Sequence, residues 1–135
     1  SHKLKNAWKP EKNAVIDLGE DEFTVGRAHP MIDFTLRNKM ILEQAAAPDV
    51  AVILLDVVLG YGANLDPAGE LVPVIKQAAK KGFVVAGVNG TIGDPQNRAK
   101  TVEALREAGA HVQLTNAAAS KLAGLIAAEV ARKNR

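Results

Sequence analysis

The sequence predicts an α/β fold in which helices cover both faces of a short parallel sheet of about four strands. Four apolar stretches have the length of strands and little polar alternation, which is typical of strands covered on both faces. They are residues 14–18, 50–55, 83–88 and 111–114. Stretches with helical spacing separate them, and this alternation favours parallel pairing through right-handed crossovers.

The predicted helices follow from apolar residues that recur every three or four positions, which places them on one face of a helix. These sets are Ile32, Leu36 and Met40; Leu71, Ile75 and Ala78; Val102 and Leu105; and Leu122, Leu125, Ile126 and Val130. Because aromatic residues make up only 4% of the chain, aliphatic side chains are expected to form most of the core.

Three predicted helices begin at a proline, which is tolerated in the first turn because its missing N–H needs no partner there. The dipeptides are His29-Pro30, Asp66-Pro67 and Asp94-Pro95. Asp66 and Asp94 are expected to be N-caps rather than catalytic acids, and Asn116 is expected to cap the last helix. Pro73 lies inside the second helix, where it is expected to cause a kink or a late helix start.

A length of 135 residues fits a single domain, which is placed over residues 3–135. The formal net charge is only +2. Ser1 and His2 are interpreted as the remnant of a cleaved tag.

The excess positive charge lies near the chain ends, so nucleic acid is not an expected partner. The apolar runs are far shorter than a membrane span, and there is no cysteine for a disulfide or a thiolate zinc site. We expect a cytoplasmic protein with no membrane contact and no metal.

The loops that leave the predicted strands are rich in glycine and polar residues. They cover residues 19–29, 57–66 and 89–94. Ligands of open parallel sheets bind at the edge where the strands end, so we expect these loops to form one site. The last loop passes through two glycines toward a helix start, where backbone N–H groups attract anions. Its candidate anion-binding residues are Asn89, Gly90, Thr91 and Gly93.

Arg27 and His29 lie together before a predicted helix start and are candidates for binding an anion and for transferring a proton. For Arg27, the alternative is a local ion pair with Asp33. For His29, the alternative is a hydrogen bond to the backbone of its own loop. Asp56 ends an apolar strand, and a carboxylate there needs either a partner or a catalytic role. It would receive a proton or orient a ligand, or else accept backbone N–H groups from residues 57–64.

The segment Gly60-Tyr61-Gly62 is expected to form a second glycine turn, and Gly60 and Gly62 are candidates for holding the anion. Tyr61 either covers a ligand with its ring or is an exposed ring in a tight bend. His111 opens the last strand and is interpreted as a buried or edge histidine rather than a metal ligand, since no second histidine or cysteine stands at ligand spacing.

Four motifs resemble the C-terminal part of the FdrA family, whose members are relatives of the succinyl-CoA synthetase alpha subunit. They are Gly26-Arg27-Ala28-His29-Pro30-Met31-Ile32-Asp33, Ile53 to Gly62, Gly93-Asp94-Pro95-Gln96 and Thr115-Asn116-Ala117-Ala118-Ala119. The resemblance covers about residues 14–125 and implies a flavodoxin-like (Rossmann-like) three-layer CoA-ligase domain. In the synthetases this module carries a phosphorylated histidine.

The chain departs from that family pattern at two places. Residues 89–96 contain no histidine, whereas the corresponding loop of the synthetases carries the phosphohistidine. The resemblance assigns Asp56 to the place of the acidic residue that contacts it. The first strand and helix of the synthetase module have no counterpart here, which suggests a fragment or a split-gene product that completes its sheet with another chain.

The expected function is therefore that of a domain of an FdrA-like acyl-CoA synthetase without the phosphohistidine. It would bind an acyl or carbamoyl phosphate, or CoA, at the sheet edge, and would not be active alone. The alternatives are a component of an oxamate carbamoyltransferase-type complex and a non-catalytic assembly module. CoA or a nucleotide would enter through a partner domain, and the expected protein partner is a second copy or another FdrA-type subunit.

Overall fold

The computed structural model describes residues 3–134, so Ser1 and His2, interpreted above as a tag remnant, lie outside the described residues, as does Arg135. The elements in this region are α1 (Asp21–Thr24), α2 (Thr35–Ala46), β1 (Val52–Val58), α3 (Pro67–Ala78), β2 (Phe83–Asn89), α4 (Arg98–Glu107), β3 (His111–Gln113) and α5 (Asn116–Lys133). No helix among them is long and apolar enough to cross a membrane.

The three strands form one parallel sheet in the order β1-β2-β3. Val52 pairs with Phe83 at the start of the first ladder, and Val85 pairs with His111 at the start of the second. The expected parallel α/β fold is thus confirmed. Within residues 3–134 the sheet has three strands, so the expected number of about four is slightly too high.

The missing fourth strand is the stretch over residues 14–18, which has no regular secondary structure. Val15 is 97% exposed there, and Asp17 accepts the N–H of Gly19 at 2.8 Å in a local turn. An apolar stretch becomes a strand only when a neighbouring strand satisfies its backbone groups. No described strand lies beside this segment, so its apolar composition alone was not enough to make it a strand.

Helices lie on both faces of the sheet, as predicted. The larger core joins α2, α3 and α4 to one face, and its most deeply buried side chains are Phe34, Val57, Leu71, Ile75, Val84 and Leu105. On the other face α5 packs over the sheet, where Ala119 and Ala123 meet Val85. Leu122 and Ile126 also pack on this face but are only partly buried. One face is therefore covered by large buried side chains, and the other by two buried alanines and partly buried larger residues.

The helix starts match the predictions only in part. Asp66 caps α3 as expected, accepting the N–H of Gly69 at 2.9 Å. In contrast, α2 begins at Thr35 and not at Pro30, and α4 begins at Arg98, capped by Asn97. Prolines 30 and 95 lie in turns instead. The predicted caps Asp94 and Asn116 were also wrong, because Asp94 bonds within its own turn and the side chain of Thr115 caps α5.

Pro73 does not delay the start of α3, which begins at Pro67 and continues through Pro73 to Ala78. Of the two alternatives expected for Pro73, a kink or a late start, the late start was therefore wrong. Leu71 and Ile75 on either side of this proline are fully buried, and their packing stabilises the helix against the lost hydrogen bond.

Candidate functional site

The carboxyl ends of β1 and β2 and the first residue of α5 bring three polar side chains together. Nδ2 of Asn89 donates to Oδ1 of Asp56 at 2.6 Å and to Oδ1 of Asn116 at 3.0 Å. Asp56 and Asn116 are exposed and Asn89 is half-buried. Asp56 thus has a structural partner, and yet its carboxylate is open to solvent at the sheet edge where ligands of such folds bind.

Gly87 makes this arrangement possible. It lies on the α5 face of β2, and a Cβ at this position would collide with Oδ1 of Asn116. Asn116 can therefore lie over the strand and reach Asn89 only because residue 87 has no side chain. Asp56 and Asn89 were predicted for the site from the sequence, whereas this role of Asn116 was not.

The three loops at this edge are joined by two amide side chains. Nε2 of Gln96 donates to the carbonyls of Gly60 and Asn64 at 2.8 and 2.9 Å, and its Oε1 accepts the N–H of Gly60 at 3.0 Å. The buried Asn64 in turn donates to the carbonyl of Ile32 at 2.8 Å and to Glu70 at 2.6 Å. The loops after β1 and β2 thus lie together at this edge, and residue 32 adjoins them, but within residues 3–134 none of these bonds comes from the predicted loop over residues 19–29.

Sequence reasoning missed both of these amides, since nothing local distinguishes them from surface residues. Gln96 and Gly60 are 36 positions apart, and Asn64 and Ile32 are 32 apart. The pairing becomes visible only when the sheet has brought the strand ends to one edge.

In the turn after β2, side chains of the turn itself accept hydrogen bonds from some of its backbone N–H groups. The N–H of Thr91 donates to Oδ2 of Asp94, and the N–H of Gly93 donates to Oγ1 of Thr91 at 3.3 Å. Since α4 begins only at Arg98, the turn does not lead directly into a helix. The carboxylate of Asp94 thus takes a place where the sequence predicted an external anion.

The turn after β1 adopts conformations that favour glycine, with φ of +131° at Gly60 and +82° at Gly62. Between them the ring of Tyr61 is 87% exposed. This geometry corresponds to the exposed ring in a tight bend, one of the two alternatives for Tyr61, and leaves the ring free at the same edge as Asp56.

Arg27 and His29 do not contact this polar group within residues 3–134. The guanidinium of Arg27 stacks on Trp8 at 5.5 Å, and Nδ1 of His29 accepts the N–H of Met31 at 3.2 Å. His29 thus makes the local backbone bond that was the alternative to catalysis. Asp33 accepts the N–H of Thr35, and hydrogen bonds from Thr35 lower the pKa of its carboxyl.

Two other arginines lie nearer the sheet and were missed by the sequence analysis. Nε of Arg98 donates to the carbonyl of Val88 at the end of β2, at 3.1 Å. Arg37 stacks on Phe34 at 4.6 Å, and its Nη1 is buried with no acceptor among residues 3–134. Burial lowers the pKa of Arg37, and the charge of Asp56 opposes that shift. Arg37 and Arg98 therefore bring positive charge to this edge, whereas Arg27 makes its contact with Trp8.

His111 is exposed on β3, and its ring lies 6.1 Å from that of Phe83. This position corresponds to the edge-histidine interpretation. Among residues 3–134, no three histidine or acidic side chains are grouped closely enough to hold a metal ion.

The sequence model of the CoA-ligase family matches residues 3–126. The chain belongs to this family. It is also similar to the uncharacterized protein YahF of Escherichia coli (strain K12), with 37% identity over 134 residues, or 94% of this chain. These residues correspond to 25% of YahF, so the chain spans about a quarter of the length of this curated relative.

Membership of the CoA-ligase family confirms the coarser part of the predicted resemblance, while the narrower FdrA assignment stays a prediction. In this CoA-ligase domain the edge offers a carboxylate, two amides and nearby arginines, but residues 89–96 hold no histidine. The arrangement can bind and orient an anionic group. It has no imidazole in this turn to accept a phosphoryl group.

Proposed function

We propose that the chain is a domain of an FdrA-like acyl-CoA synthetase that binds an acyl phosphate, carbamoyl phosphate or CoA at the carboxyl edge of its sheet. The observation that carries the proposal is the group formed by Asp56, Asn89 and Asn116. These side chains present both hydrogen-bond donors and acceptors beside loops that Gln96 joins together. Preorganised polar groups of this kind orient a ligand at low entropic cost.

Each group has a proposed role. Asn116 donates its free amide N–H to a phosphate or carboxylate oxygen, and Asp56 orients the reacting group. Arg27 neutralises the anion from the adjoining loop, and Tyr61 covers it. His29 supports its loop through Met31 instead of transferring a proton. CoA or a nucleotide, where one is used, comes from a partner domain, so the chain alone is not expected to turn over substrate.

Asp94 competes with the ligand in this proposal. Its carboxylate accepts the N–H of Thr91, and it lies close to Gly90 on the same turn. A phosphate approaching this turn meets both a like charge and an occupied donor. Removing the charge of Asp94 should therefore strengthen binding, whereas removing an amide of the polar group should weaken it.

Calorimetric titration with CoA and, separately, with carbamoyl phosphate tests the proposal. We expect saturable heat with one of them, roughly tenfold weaker binding for Asn116→Ala because about one hydrogen bond is lost, and tighter binding for Asp94→Asn. Arg27→Ala should also weaken binding by removing a positive charge. Asn134→Ala, at the opposite end of α5, is the matched control and should leave affinity unchanged.

Unchanged affinity in a folded Asn116→Ala variant would remove Asn116 from the site. Weaker binding in Asp94→Asn would show that Asp94 helps the ligand and does not compete with it. If the wild-type chain gives no heat with either compound, the ligand-binding proposal fails for the isolated domain.

A second candidate function, assembly with another FdrA-type subunit or within an oxamate carbamoyltransferase-type complex, is favoured by apolar side chains on the same loops. Tyr61, Leu65 and Ile92 are 87%, 77% and 95% exposed. A contiguous exposed apolar patch marks a protein contact, and these three residues lie on the two loops that follow β1 and β2. Calorimetric silence together with a stable complex in sedimentation would favour this candidate.

A further inference from the structure

Arg37 carries a buried hydrogen-bond donor that has no partner. It lies half-buried in the first turn of α2, where its guanidinium stacks on the ring of Phe34 at 4.6 Å. Within residues 3–134, its Nη1 is enclosed without an acceptor, and none of the ion pairs includes Arg37. A buried charged donor without an acceptor lowers the stability of a fold, so its presence needs an explanation.

The other arginines of residues 3–134 differ from Arg37 in this respect. Three of them donate to oxygen atoms of the protein, namely Arg98, Arg106 and Arg132. Arg27 is exposed, so water satisfies its N–H groups. Among the described arginines, Arg37 is therefore the one that combines burial with an unpartnered N–H.

Arg37 lies at the carboxyl edge of the sheet, near Asp56. Its neighbour Asn38 donates from Nδ2 to the carbonyl of Glu70 in the first turn of α3, at 3.3 Å, and α3 follows the loop after β1. Burial lowers the pKa of Arg37, and the charge of Asp56 opposes this shift. An opposite charge has such an effect only at short range. The two groups are thus close to one another without forming an ion pair.

The polar group at this edge needs a positive charge to bind an anion. Asn89 and Asn116 are neutral amides, and the carboxylate of Asp56 repels an anion. A guanidinium suits this task, because its planar fork matches two oxygens of a phosphate or carboxylate. Since Nη1 has no acceptor to lose, the guanidinium can turn from Phe34 toward such a ligand.

We propose that Arg37 binds the anionic ligand at this edge, turning from Phe34 to donate two parallel hydrogen bonds to two oxygens of a phosphate or carboxylate group. The inference rests on the proposed binding of an anion beside Asp56. It adds a cation from α2 to Arg27 of the adjoining loop, and it explains why a buried donor is left without a partner in the absence of ligand.

NMR titration of the isotope-labelled chain with inorganic phosphate and, separately, with acetate tests this proposal at constant ionic strength. The two probes distinguish a phosphate site from a carboxylate site. With one of them, we expect the Nε–H signal of Arg37, assigned through Arg37→Lys, to shift saturably together with the side-chain amide signal of Asn116.

Three variants measure the contribution of the guanidinium to the affinity, read from the amide signal of Asn116. Arg37→Met should weaken binding roughly tenfold or more, because charge-assisted hydrogen bonds are lost. Arg37→Lys keeps the charge without the fork and should restore part of the affinity. Lys39→Met is the matched control, since it removes a positive charge from an exposed position of the same helix, and it should leave the affinity unchanged.

Urea unfolding without added anion separates ligand binding from a structural role. Arg37→Met keeps an apolar side chain against Phe34 and removes the unpartnered donor, so its urea midpoint should be no lower than that of wild type. A clearly lower midpoint would show that the guanidinium stabilises the fold by itself, and would overturn the proposal.

The titration also distinguishes this proposal from the binding of an anion at the edge as such. If the Asn116 amide shifts while the Arg37 signal does not, or if Arg37→Met binds as tightly as wild type, the anion binds without Arg37 and only this proposal is overturned. If neither signal shifts with either probe, both this proposal and anion binding by the isolated domain are overturned.

Discussion

Two glycines near the end of β2 have different neighbours, although both permit a close approach. At Gly87 a Cβ would meet the end of the Asn116 side chain, which can rotate away. At Gly90 a Cβ would come within 2.8 Å of both Oδ2 of Asp94 and Cβ of the buried Leu59. A Cβ cannot move without its backbone, so the two sites differ in how much strain they can relieve.

We therefore expect Gly90→Ala to destabilise the fold by about 1–3 kcal/mol, the usual cost of overpacking. Gly87→Ala should change the free energy of unfolding by less than about 1 kcal/mol, because only the Asn89–Asn116 hydrogen bond is lost. Urea unfolding of the two variants against wild type checks the order. An equal loss of unfolding free energy in both variants would show that the side chain of Asn116 is held as firmly as Leu59.

At the scale of single residues, the sequence identified groups whose local setting is unusual. Asp56 could be found because a carboxylate interrupts an apolar strand, and Asn89 because it follows one. Asn116, Asn64 and Gln96 could not be found, because their roles depend on atoms of distant segments. Arg27 and His29 were selected by their neighbours in sequence, but in the structure Arg27 stacks on Trp8 and His29 accepts the N–H of Met31.

Among the elements, α3 contains one proline at a favourable position and one at an unfavourable position. Pro67 is the first residue of the helix, where its fixed φ is preorganised, and it is buried. Pro73 is exposed in the interior of the same helix. There it removes the N–H that would bond to the carbonyl of Gly69. The two prolines form a matched pair for measuring the effect of position.

Replacing Pro73 by alanine should raise the free energy of unfolding by about 2 kcal/mol. The interior penalty of proline is about 3 kcal/mol relative to alanine, and the more flexible unfolded chain offsets up to about 1 kcal/mol of that gain. Pro67→Ala should instead lower stability. Thermal and urea unfolding of both variants measure the signs, and a loss of stability in Pro73→Ala would show that the ring makes contacts that stabilise the fold.

Elements were predictable where side-chain pattern and backbone partners agree. The strands at β1, β2 and β3 and the cap at Asp66 were correct in kind, with bounds that moved by a few residues. Residues 14–18 have the right pattern but no paired neighbour, so they are not a strand. The predictions that helices begin at Pro30 and Pro95 were wrong, because proline is as well suited to a β-turn as to the first turn of a helix.

At the scale of the whole molecule, the two faces of the sheet are covered unequally. The helices α2, α3 and α4 cover one face with large buried side chains such as Leu71, Ile75 and Leu105. On the other face, the fully buried contribution of α5 is Ala119 and Ala123. Because stabilisation by burial grows with the apolar area removed from water, α5 should be held less strongly than α3.

Native-state hydrogen exchange should therefore show α5 opening at a lower free energy than α3 and β2, as a separate unit. Leu122→Ala should accelerate exchange within α5 and leave α3 unchanged, whereas Leu71→Ala should lower global stability by about 2–5 kcal/mol. Exchange of α5, α3 and β2 amides at one common free energy would contradict this order. Because α5 begins with Asn116, its opening also separates Asn116 from Asn89, and ligand binding at the proposed site should slow exchange in α5.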